Sequence, residues 1–142
     1  MPTSFLPVSG FELPRFAGVP TFMRLPFVPP DHDDAEMVAV GFIGIPFDTA
    51  TTNRAGARHG PRALRDASTM IRQIHPTHGL NPFERVNCAD MGDVGVNPVD
   101  VDETLARVTA FYDRITARGI RPMTAGGDHL MSLPVLRALA RD

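Results

Sequence analysis

Residues 37–45 constrain the fold of this chain more than any other stretch, because they are apolar on both alternating faces of an extended strand. A strand of this kind has to be covered on both sides, as in a parallel sheet flanked by helices. Two more short strands are expected at residues 85–90 and 120–125, with helical segments between the strands. This alternation predicts an α/β fold with a doubly wound, mainly parallel sheet.

The expected helices carry recognisable start and stop signals. Pro61 suits the first turn of a helix, which is expected to end before Pro76. Asp100 and Glu103 resemble a capping pair, and Gly119 ends the helix that follows them. A last helix begins at Ser132 and continues to the end of the sequence. The residues expected to share one face of each helix are Leu64, Ala67, Ser68, Ile71 and Ile74; Leu105, Val108, Tyr112 and Ile115; and Leu133, Leu136 and Ala140.

Residues 1–34 form an arm rich in proline and phenylalanine, and residues 35–142 are predicted to form part of a single α/β domain. Proline at this density is incompatible with a helix interior or a central strand, yet so many aromatic side chains are not expected to remain in water. The arm is therefore expected to lie on its own domain or partly across a neighbouring subunit. The residues behind this prediction are Pro2, Pro7, Pro14, Pro20, Pro26, Pro29 and Pro30, with Phe5, Phe11, Phe16, Phe22 and Phe27.

Composition excludes several kinds of partner and site. The chain has 142 residues and a formal net charge of −2, so it lacks the basic field that nucleic acids or acidic membrane surfaces attract. No secretory signal is apparent, and no apolar run approaches the roughly 20 residues of a membrane span. Cys88 is the only cysteine, which excludes an internal disulfide. We therefore expect a cytoplasmic chain with a small-molecule or protein partner.

The turn at residues 126–129, Gly-Gly-Asp-His, is the strongest candidate site in the chain. It follows a predicted strand, and ligands of open α/β sheets gather at the carboxyl ends of strands. His129 is a candidate metal ligand or catalytic group, and the alternative is a hydrogen-bonded structural histidine. Asp128 is expected either to accept hydrogen bonds from the amides of the turn or to orient a neighbouring ligand.

The polar loop at residues 47–60 follows the first strand and is a second candidate region. Asp48, Asn53 and Arg54 are its candidate residues for a wall of the site. The alternative is a loop held in place by its own side chains. Asp90 and Asp93 flank a glycine at another strand end, where hydrogen bonding to turn amides is the commoner role.

The remaining histidines are weaker candidates. His32 lies in an acidic turn at residues 31–34, where adjacent side chains in a loop seldom hold a metal. His75 and His78 are three residues apart, but proline and glycine keep that segment from being helical, so solvated loop residues are expected.

The sequence also predicts an incomplete fold. Three parallel strands leave an unpaired edge on each outer strand, and the last helix reaches Asp142 without a capping Gly or Asn. We interpret the chain as part of a longer protein, the alternative being a helix that frays at a true terminus.

Four ordered motifs run through the chain, at residues 44–48 (Gly-Ile-Pro-Phe-Asp), 54–65, 81–94 and 126–137. They occur in the order and at the spacing seen in agmatinase-type ureohydrolases of the arginase and agmatinase family, which the chain therefore resembles. Residues 21–26 and 68–74 are more similar to the guanidinobutyrase and guanidinopropionase branch. The resemblance covers nearly the whole chain from Thr21.

The resemblance implies a three-layer α/β/α fold, usually assembled as trimers or hexamers, with two Mn²⁺ ions bridged by a hydroxide. Family members hydrolyse a guanidino group to urea and an amine, so guanidinobutyrate, guanidinopropionate and agmatine are the implied substrates. His129 falls on the first metal histidine of the family. The other implied ligands belong to Asp-x-His-x-Asp and Asp-x-Asp blocks that have no counterpart in this sequence.

One position departs from the family pattern. A Ser or Thr usually follows the metal histidine, and this chain has Leu130, which removes one hydrogen-bonding group near the first metal. Because the motif around it is otherwise whole, we expect the branch to tolerate an apolar residue there. The segment alone is predicted to be inactive. The alternative is a non-catalytic homologue that acts as a protein-interaction module; a nucleotide-binding domain is disfavoured because Gly-x-Gly-x-x-Gly spacing is missing.

Overall fold

The computed structural model describes residues 5–141, and a parallel β-sheet lies at their centre. The strands within that range are β1 (Val40–Ile45), β2 (Cys88–Asp93) and β3 (Arg121–Gly126). β1 is the middle strand, in the order β2, β1, β3, and both pairings are parallel. The predicted parallel α/β fold is therefore confirmed, with each strand shifted by one to three residues from its predicted position.

Among residues 5–141, three α-helices connect or follow the strands: α1 (Gly60–Ser68), α2 (Val101–Thr116) and α3 (Ser132–Leu139). None of these described helices is long and apolar enough to cross a membrane. Side chains of β1 alternate between two clusters, which places one layer on each face of the sheet. Val40 and Phe42 pack with Leu25, Phe83 and Cys88, whereas Ile43 and Ile45 pack with Val108, Tyr112 and Ile115 of α2 and Ala138 of α3.

Two glycines of β1 allow close packing at the centre of the sheet. A Cβ at Gly44 would lie 2.8 Å from Cβ of Pro61 in α1 and 1.9 Å from a carboxylate oxygen of Asp93. A Cβ at Gly41 would lie 2.3 Å from the sulfur of Met91. Helix α1 therefore packs directly on the backbone of the middle strand, which gives the three-layer α/β/α arrangement that the resemblance implied.

The two pairings of β1 differ in regularity. Its register with β3 is unbroken from Val40 opposite Arg121 to Ile45 opposite Gly126. Its register with β2 shifts between Phe42 and Gly44. Because β1 and β3 end at the same level, the segments that follow them emerge side by side.

Helix α2 agrees closely with its prediction. Val108, Tyr112 and Ile115 are fully buried, and the side chain of Asp100 caps the helix by accepting the amide of Glu103 at 2.8 Å. The Glu103 carboxylate accepts hydrogen bonds from Asn97 and Arg107 instead of reaching back to the cap. Of the two hydrogen bonds of the predicted capping pair, only the one accepted by Asp100 is therefore formed.

The buried faces predicted for α1 and α3 are wrong. Helix α1 ends at Ser68, and the predicted apolar stripe lies on the exposed side, while Pro61 and most of Arg65 face inward. This face is polar because α1 meets the arm and the carboxylate of Asp90 rather than an aliphatic layer. In α3 the inward residues are Pro134 and Ala138. The exposed apolar residues are Leu64, Ile71 and Ile74 near α1, and Leu133 and Leu136 in α3.

The described part of the arm lies on its own domain along one stretch. Pro26 and Val28 flank β2 through backbone hydrogen bonds of 2.9 and 2.8 Å to Asp90. This corrects the expectation that the outer edge of β2 is wholly unpaired. Phe22, Leu25 and Val28 are buried, whereas Phe11 and Phe16 are 104% and 86% exposed. Contact of the exposed stretch with a neighbouring subunit stays a prediction, as does the division of the chain at residue 34.

The carboxylate of Asp90 joins three parts of the fold. It is 1% exposed and accepts hydrogen bonds from the guanidinium of Arg65 at 2.7 and 2.9 Å, from the amide of Phe22 at 2.9 Å and from the amide of Gly92 at 2.9 Å. Arg65 also donates to Asp93 and stacks on the ring of Phe22. One buried ion pair therefore connects the arm, α1 and β2.

Replacing Asp90 by Asn should lower the free energy of unfolding by about 3–5 kcal/mol, because Arg65 then keeps a buried charge without its main partner. The measurement is urea denaturation of the 142-residue chain followed by circular dichroism. Asp66→Asn is the matched control, since Asp66 is exposed on the same helix and its replacement should change stability by less than about 0.5 kcal/mol. Equal stability of the two variants would contradict this role for Asp90.

Candidate functional site

The Gly-Gly-Asp-His turn follows β3 directly and is held against the loop that follows β1. The amide of Asp128 donates to the carbonyl of Phe47 at 2.8 Å, and the amide of Ala50 donates to Oδ2 of Asp128 at 3.0 Å. These two bonds join the carboxyl-end segments of neighbouring strands. The predicted turn is therefore at a fixed position on the edge of the sheet where α/β proteins bind ligands.

The two glycines of the turn have different roles. A Cβ on Gly127 would lie 1.5 Å from the carbonyl oxygen of Phe47, so no side chain fits there. A Cβ on Gly126 would meet no described atom within 4 Å. Neither residue has a positive φ, so close approach, and not an unusual backbone conformation, is what requires glycine at position 127.

Asp128 accepts hydrogen bonds from backbone amides, which is one of the two roles predicted for it. Its Oδ1 accepts the amide of Leu130 at 3.0 Å and caps the short 3₁₀ helix His129–Met131, while Oδ2 accepts the amide of Ala50. In residues 5–141 the carboxylate makes no hydrogen bond to the imidazole of His129. Asp128 thus fixes the backbone that carries His129 without touching its ring.

His129 is exposed and faces an open cavity of about 540 Å³, whose lining includes Ile45, Thr124, Ser132 and Val135. No group of three or more His, Cys, Asp or Glu side chains among the described residues could hold a metal ion. His129 is suited to be one ligand, since its ring is accessible and its backbone is fixed. The described residues do not supply the rest of a manganese site.

The loop at residues 47–60 is held in place from within. Asp48 is 1% exposed, and its carboxylate accepts the amides of Gly56 at 2.6 Å and Arg58 at 3.1 Å together with the guanidinium of Arg58. These bonds, of which the one from the Arg58 side chain is the strongest cause, hold the pKa of Asp48 well below its ordinary value. Asp48 therefore organises the loop, which is the alternative that the sequence left open.

Asn53 and Arg54 lie at the exposed tip of this loop. Neither they nor Asp48 line the cavity that contains His129. A role for them in the wall of a substrate site stays a prediction. Arg58 was not predicted to support this loop, because nothing in the spacing of residues 48 and 58 indicates that the two side chains pair.

The other candidate residues have structural surroundings in the described chain. Asp90 and Asp93 both bind Arg65. The rings of His75 and His78 stack with their centres 4.7 Å apart, and Nδ1 of His75 accepts backbone amides of its own loop. His32 caps the short helix Asp33–Met37 by accepting the amide of Asp34.

The fold and the turn define an α/β protein with an accessible histidine at the carboxyl end of a parallel sheet. Residues 38–142 match the Arginase family, so the chain belongs to that family.

Curated relatives agree with this assignment. The chain is 47% identical over 136 residues to a guanidinopropionase of Pseudomonas aeruginosa, which covers 96% of this chain and 42% of the relative. It is 44% identical over 137 residues to a guanidinobutyrase of the same organism, covering 95% and 42%. The chain thus spans about two-fifths of the length of these relatives, and the similarity to this branch predicted from residues 21–26 and 68–74 is confirmed.

Solved structures show the same fold. A proclavaminate amidino hydrolase from Streptomyces clavuligerus superposes with a TM-score of 0.81 at 34% identity, covering 89% of this chain and 41% of the other. A variant of the Trypanosoma cruzi formiminoglutamase, solved with Mn²⁺, superposes with a TM-score of 0.66 at 27% identity, covering 75% and 36%.

The contrast between the two glycines gives a matched pair of variants. Gly127→Ala should lower the free energy of unfolding by about 3 kcal/mol, because the added Cβ overlaps the carbonyl of Phe47 and the backbone has to move. Gly126→Ala adds the same atom where the described chain leaves room and should be tolerated to within about 1 kcal/mol. Urea denaturation of both variants of the 142-residue chain measures the difference. Equal losses of unfolding free energy would show that contact with Phe47 does not exclude a side chain at position 127.

The low pKa of Asp48 makes a prediction about acid stability. A carboxyl whose pKa is lower in the folded state than its ordinary value near 3.8 stabilises the fold above that value, and the stabilisation is lost as the pH falls through the folded pKa. The stability gap between the native chain and Asp48→Asn should therefore be constant above about pH 5 and shrink below about pH 4. Urea denaturation from pH 3 to 7 measures this gap.

Asp33→Asn is the control for that series, because Asp33 is exposed and its side chain makes no ion pair within the described residues. Its gap from the native chain should stay small at every pH. If the stability difference between the native chain and Asp48→Asn stays unchanged down to pH 3, the ion pair of Asp48 with Arg58 is not the cause of that difference.

Proposed function

We propose that the complete protein is a Mn²⁺-dependent ureohydrolase that hydrolyses the guanidino group of guanidinobutyrate, guanidinopropionate or agmatine to urea and an amine. The observation that carries this proposal is the accessible His129 on a turn fixed by Asp128. It occurs in a chain that is 47% identical to a guanidinopropionase. The part of the chain described here contributes one metal ligand and its support.

The local structure supports the metal-ligand role in two ways. The ring of His129 is exposed beside an open cavity, whereas a structural histidine in this position would be hydrogen-bonded and enclosed. Its backbone is fixed by Asp128, and Gly127 lets that turn approach Phe47 closely. A fixed backbone restricts the positions of the imidazole, which a metal site with defined ligand geometry requires.

When bound, Mn²⁺ would supply a hydroxide near neutral pH for attack on a poorly electrophilic guanidinium carbon. Nitrogen and oxygen ligands suit this ion, and two ions need more of them than the described residues provide. Leu130 follows His129, and its backbone amide donates to Oδ1 of Asp128, so the apolar side chain leaves this bond of the turn intact.

Three further properties are proposed with this function. We propose a cytoplasmic enzyme with no nucleic-acid or membrane partner, in keeping with its net charge of −2. We propose a homo-oligomer, a trimer or hexamer, which the exposed Phe11 and Phe16 of the arm support. The 142-residue segment by itself is proposed to be inactive, since a single imidazole cannot hold two ions.

The test uses the protein at its full natural length, assayed for urea release with Mn²⁺ on guanidinopropionate, guanidinobutyrate, agmatine and arginine. His129→Ala should lose one equivalent of bound Mn²⁺ and at least about 100-fold in activity. Replacing a residue that only supports a metal ligand typically lowers metal affinity or activity about 10- to 100-fold, and loss of the ligand itself should lower them further. Metal content is measured separately by plasma emission spectrometry.

His78→Ala is the matched control, since His78 is an exposed loop histidine away from the cavity of His129. It should keep full metal content and activity. Two bound ions and unchanged turnover in His129→Ala would overturn the metal-ligand role. Urea release by the 142-residue segment would contradict its proposed inactivity, and an inactive full-length protein without bound manganese would favour a non-catalytic interaction module.

A further inference from the structure

Arg58, in the loop after β1, binds Asp48 through both its side chain and its backbone. The guanidinium donates to Oδ1 of Asp48, and the Arg58 amide donates to Oδ2 at 3.1 Å. The amide of Gly56 donates to the same Oδ2 at 2.6 Å. Because the Asp48 side chain is fully buried, its charge depends on these donors, of which the guanidinium is the charged one. The pair therefore ties the far end of the loop to its beginning.

The backbone on either side of Asp48 leads from this pair to the histidine turn. The carbonyl of Phe47, the residue before Asp48, accepts the amide of Asp128 at 2.8 Å. The amide of Ala50, two residues after Asp48, donates to Oδ2 of Asp128 at 3.0 Å. Thr51 closes this short turn, because its hydroxyl donates to the carbonyl of Asp48 at 2.9 Å. Both hydrogen bonds to Asp128 thus come from residues within two positions of the buried carboxylate.

Asp128 in turn fixes the backbone that carries His129. Its Oδ1 accepts the amide of Leu130 at 3.0 Å and caps the 3₁₀ helix that begins at His129. Direct contacts therefore connect the guanidinium of Arg58 with the backbone of the histidine. Arg58 itself is remote from the imidazole, since the cavity that it lines shares no residue with the cavity of His129.

We propose that Arg58 is a positioning residue for His129 as a metal ligand. Its pair with Asp48 holds the loop backbone that fixes Asp128, and this restricts the imidazole to positions from which it can bind Mn²⁺. The inference rests on the function proposed above and adds a residue that acts through others. Loss of the Arg58 side chain should therefore weaken metal binding without removing a ligand.

The first test titrates the protein at its full natural length with Mn²⁺ and follows free manganese by electron paramagnetic resonance. Arg58→Gln should weaken the binding of one Mn²⁺ about tenfold, at the lower end of the effect of replacing a group that orients a metal ligand. Arg58→Lys keeps a charge beside Asp48 and should bind Mn²⁺ more tightly than Arg58→Gln. Circular dichroism checks that each variant is folded.

Two control variants separate positioning from charge and from stability. Arg62 is exposed, lines the same cavity as Arg58 and makes no hydrogen bond or ion pair within residues 5–141, so Arg62→Gln should bind Mn²⁺ like the native protein. Asp90→Asn breaks a different buried ion pair, with Arg65, and should leave the affinity for Mn²⁺ unchanged although it destabilises the fold.

Urea release separates positioning from contact with the substrate. Because Arg58 touches neither the ion nor the substrate, Arg58→Gln should approach native turnover once Mn²⁺ is saturating. Its KM for guanidinopropionate should then equal that of the native protein. A residue that binds the substrate would instead raise the KM at every Mn²⁺ concentration.

Hydrogen exchange gives a measurement that needs no variant. If the loop holds His129 in place, binding of Mn²⁺ stabilises the loop in return, because coupling between two sites is reciprocal. Exchange of the amides of residues 48–58 in the native protein should therefore slow when Mn²⁺ is added, and more than that of the loop at residues 75–81. This measurement decides the result if Arg58→Gln does not fold.

Several results would overturn the role of Arg58 while the proposed function stands. They are native Mn²⁺ affinity in Arg58→Gln, no recovery in Arg58→Lys, an equal loss of affinity in Arg62→Gln or Asp90→Asn, a raised KM at saturating Mn²⁺, and exchange of residues 48–58 that Mn²⁺ does not alter. A native protein that binds no Mn²⁺ and releases no urea would overturn the proposed function, and this role with it.

Discussion

The buried carboxylate of Asp90 is the interaction on which the described fold depends. β2 supplies the carboxylate, α1 supplies the guanidinium of Arg65, and the arm supplies the amide of Phe22. Backbone bonds from the same residue hold Pro26 and Val28 along the outer edge of β2. The two oxygens of the Asp90 carboxylate accept two hydrogen bonds each, from Arg65 and from the amides of Phe22 and Gly92, so one desolvated carboxylate fixes the arm, α1 and β2 relative to one another.

The candidate site depends on a second constraint, which is the common level at which β1 and β3 end. Their unbroken register brings Phe47 and Gly127 into contact, and only a residue without a Cβ fits at that distance. The irregular pairing of β1 with β2 has no such consequence, since Asp90 and Asp93 at the end of β2 are bound to Arg65. The regular side of the sheet thus carries the accessible histidine, and the irregular side carries the structural ion pair.

The sequence predicted those elements whose residues act locally. The β1 strand, the cap at Asp100 and the buried stripe of α2 follow from periodicity and short-range hydrogen bonding, which a single sequence contains. The faces of α1 and α3 were wrong, because periodicity shows which side chains share a face and not which face is covered. Leu64 and Leu136 were assigned to buried faces for that reason, and both are exposed.

The residues of the candidate site also fall into those that the sequence could identify and those that only the fold reveals. His129 and Asp128 could be identified because they are adjacent and follow a strand. The pairing of Asp48 with Arg58, and the difference between Gly126 and Gly127, depend on contacts across the fold that leave no trace in spacing. The burial of Arg24 is also invisible in the sequence, where it is one arginine among several.

The two oxygens of Asp128 bind amides on different segments, Leu130 on its own turn and Ala50 on the loop after β1. That loop is itself fixed by the pairing of Asp48 with Arg58, which lie on either side of Ala50 in the sequence. The loop and the histidine turn are therefore mechanically coupled, so a substitution that displaces the loop also displaces the imidazole.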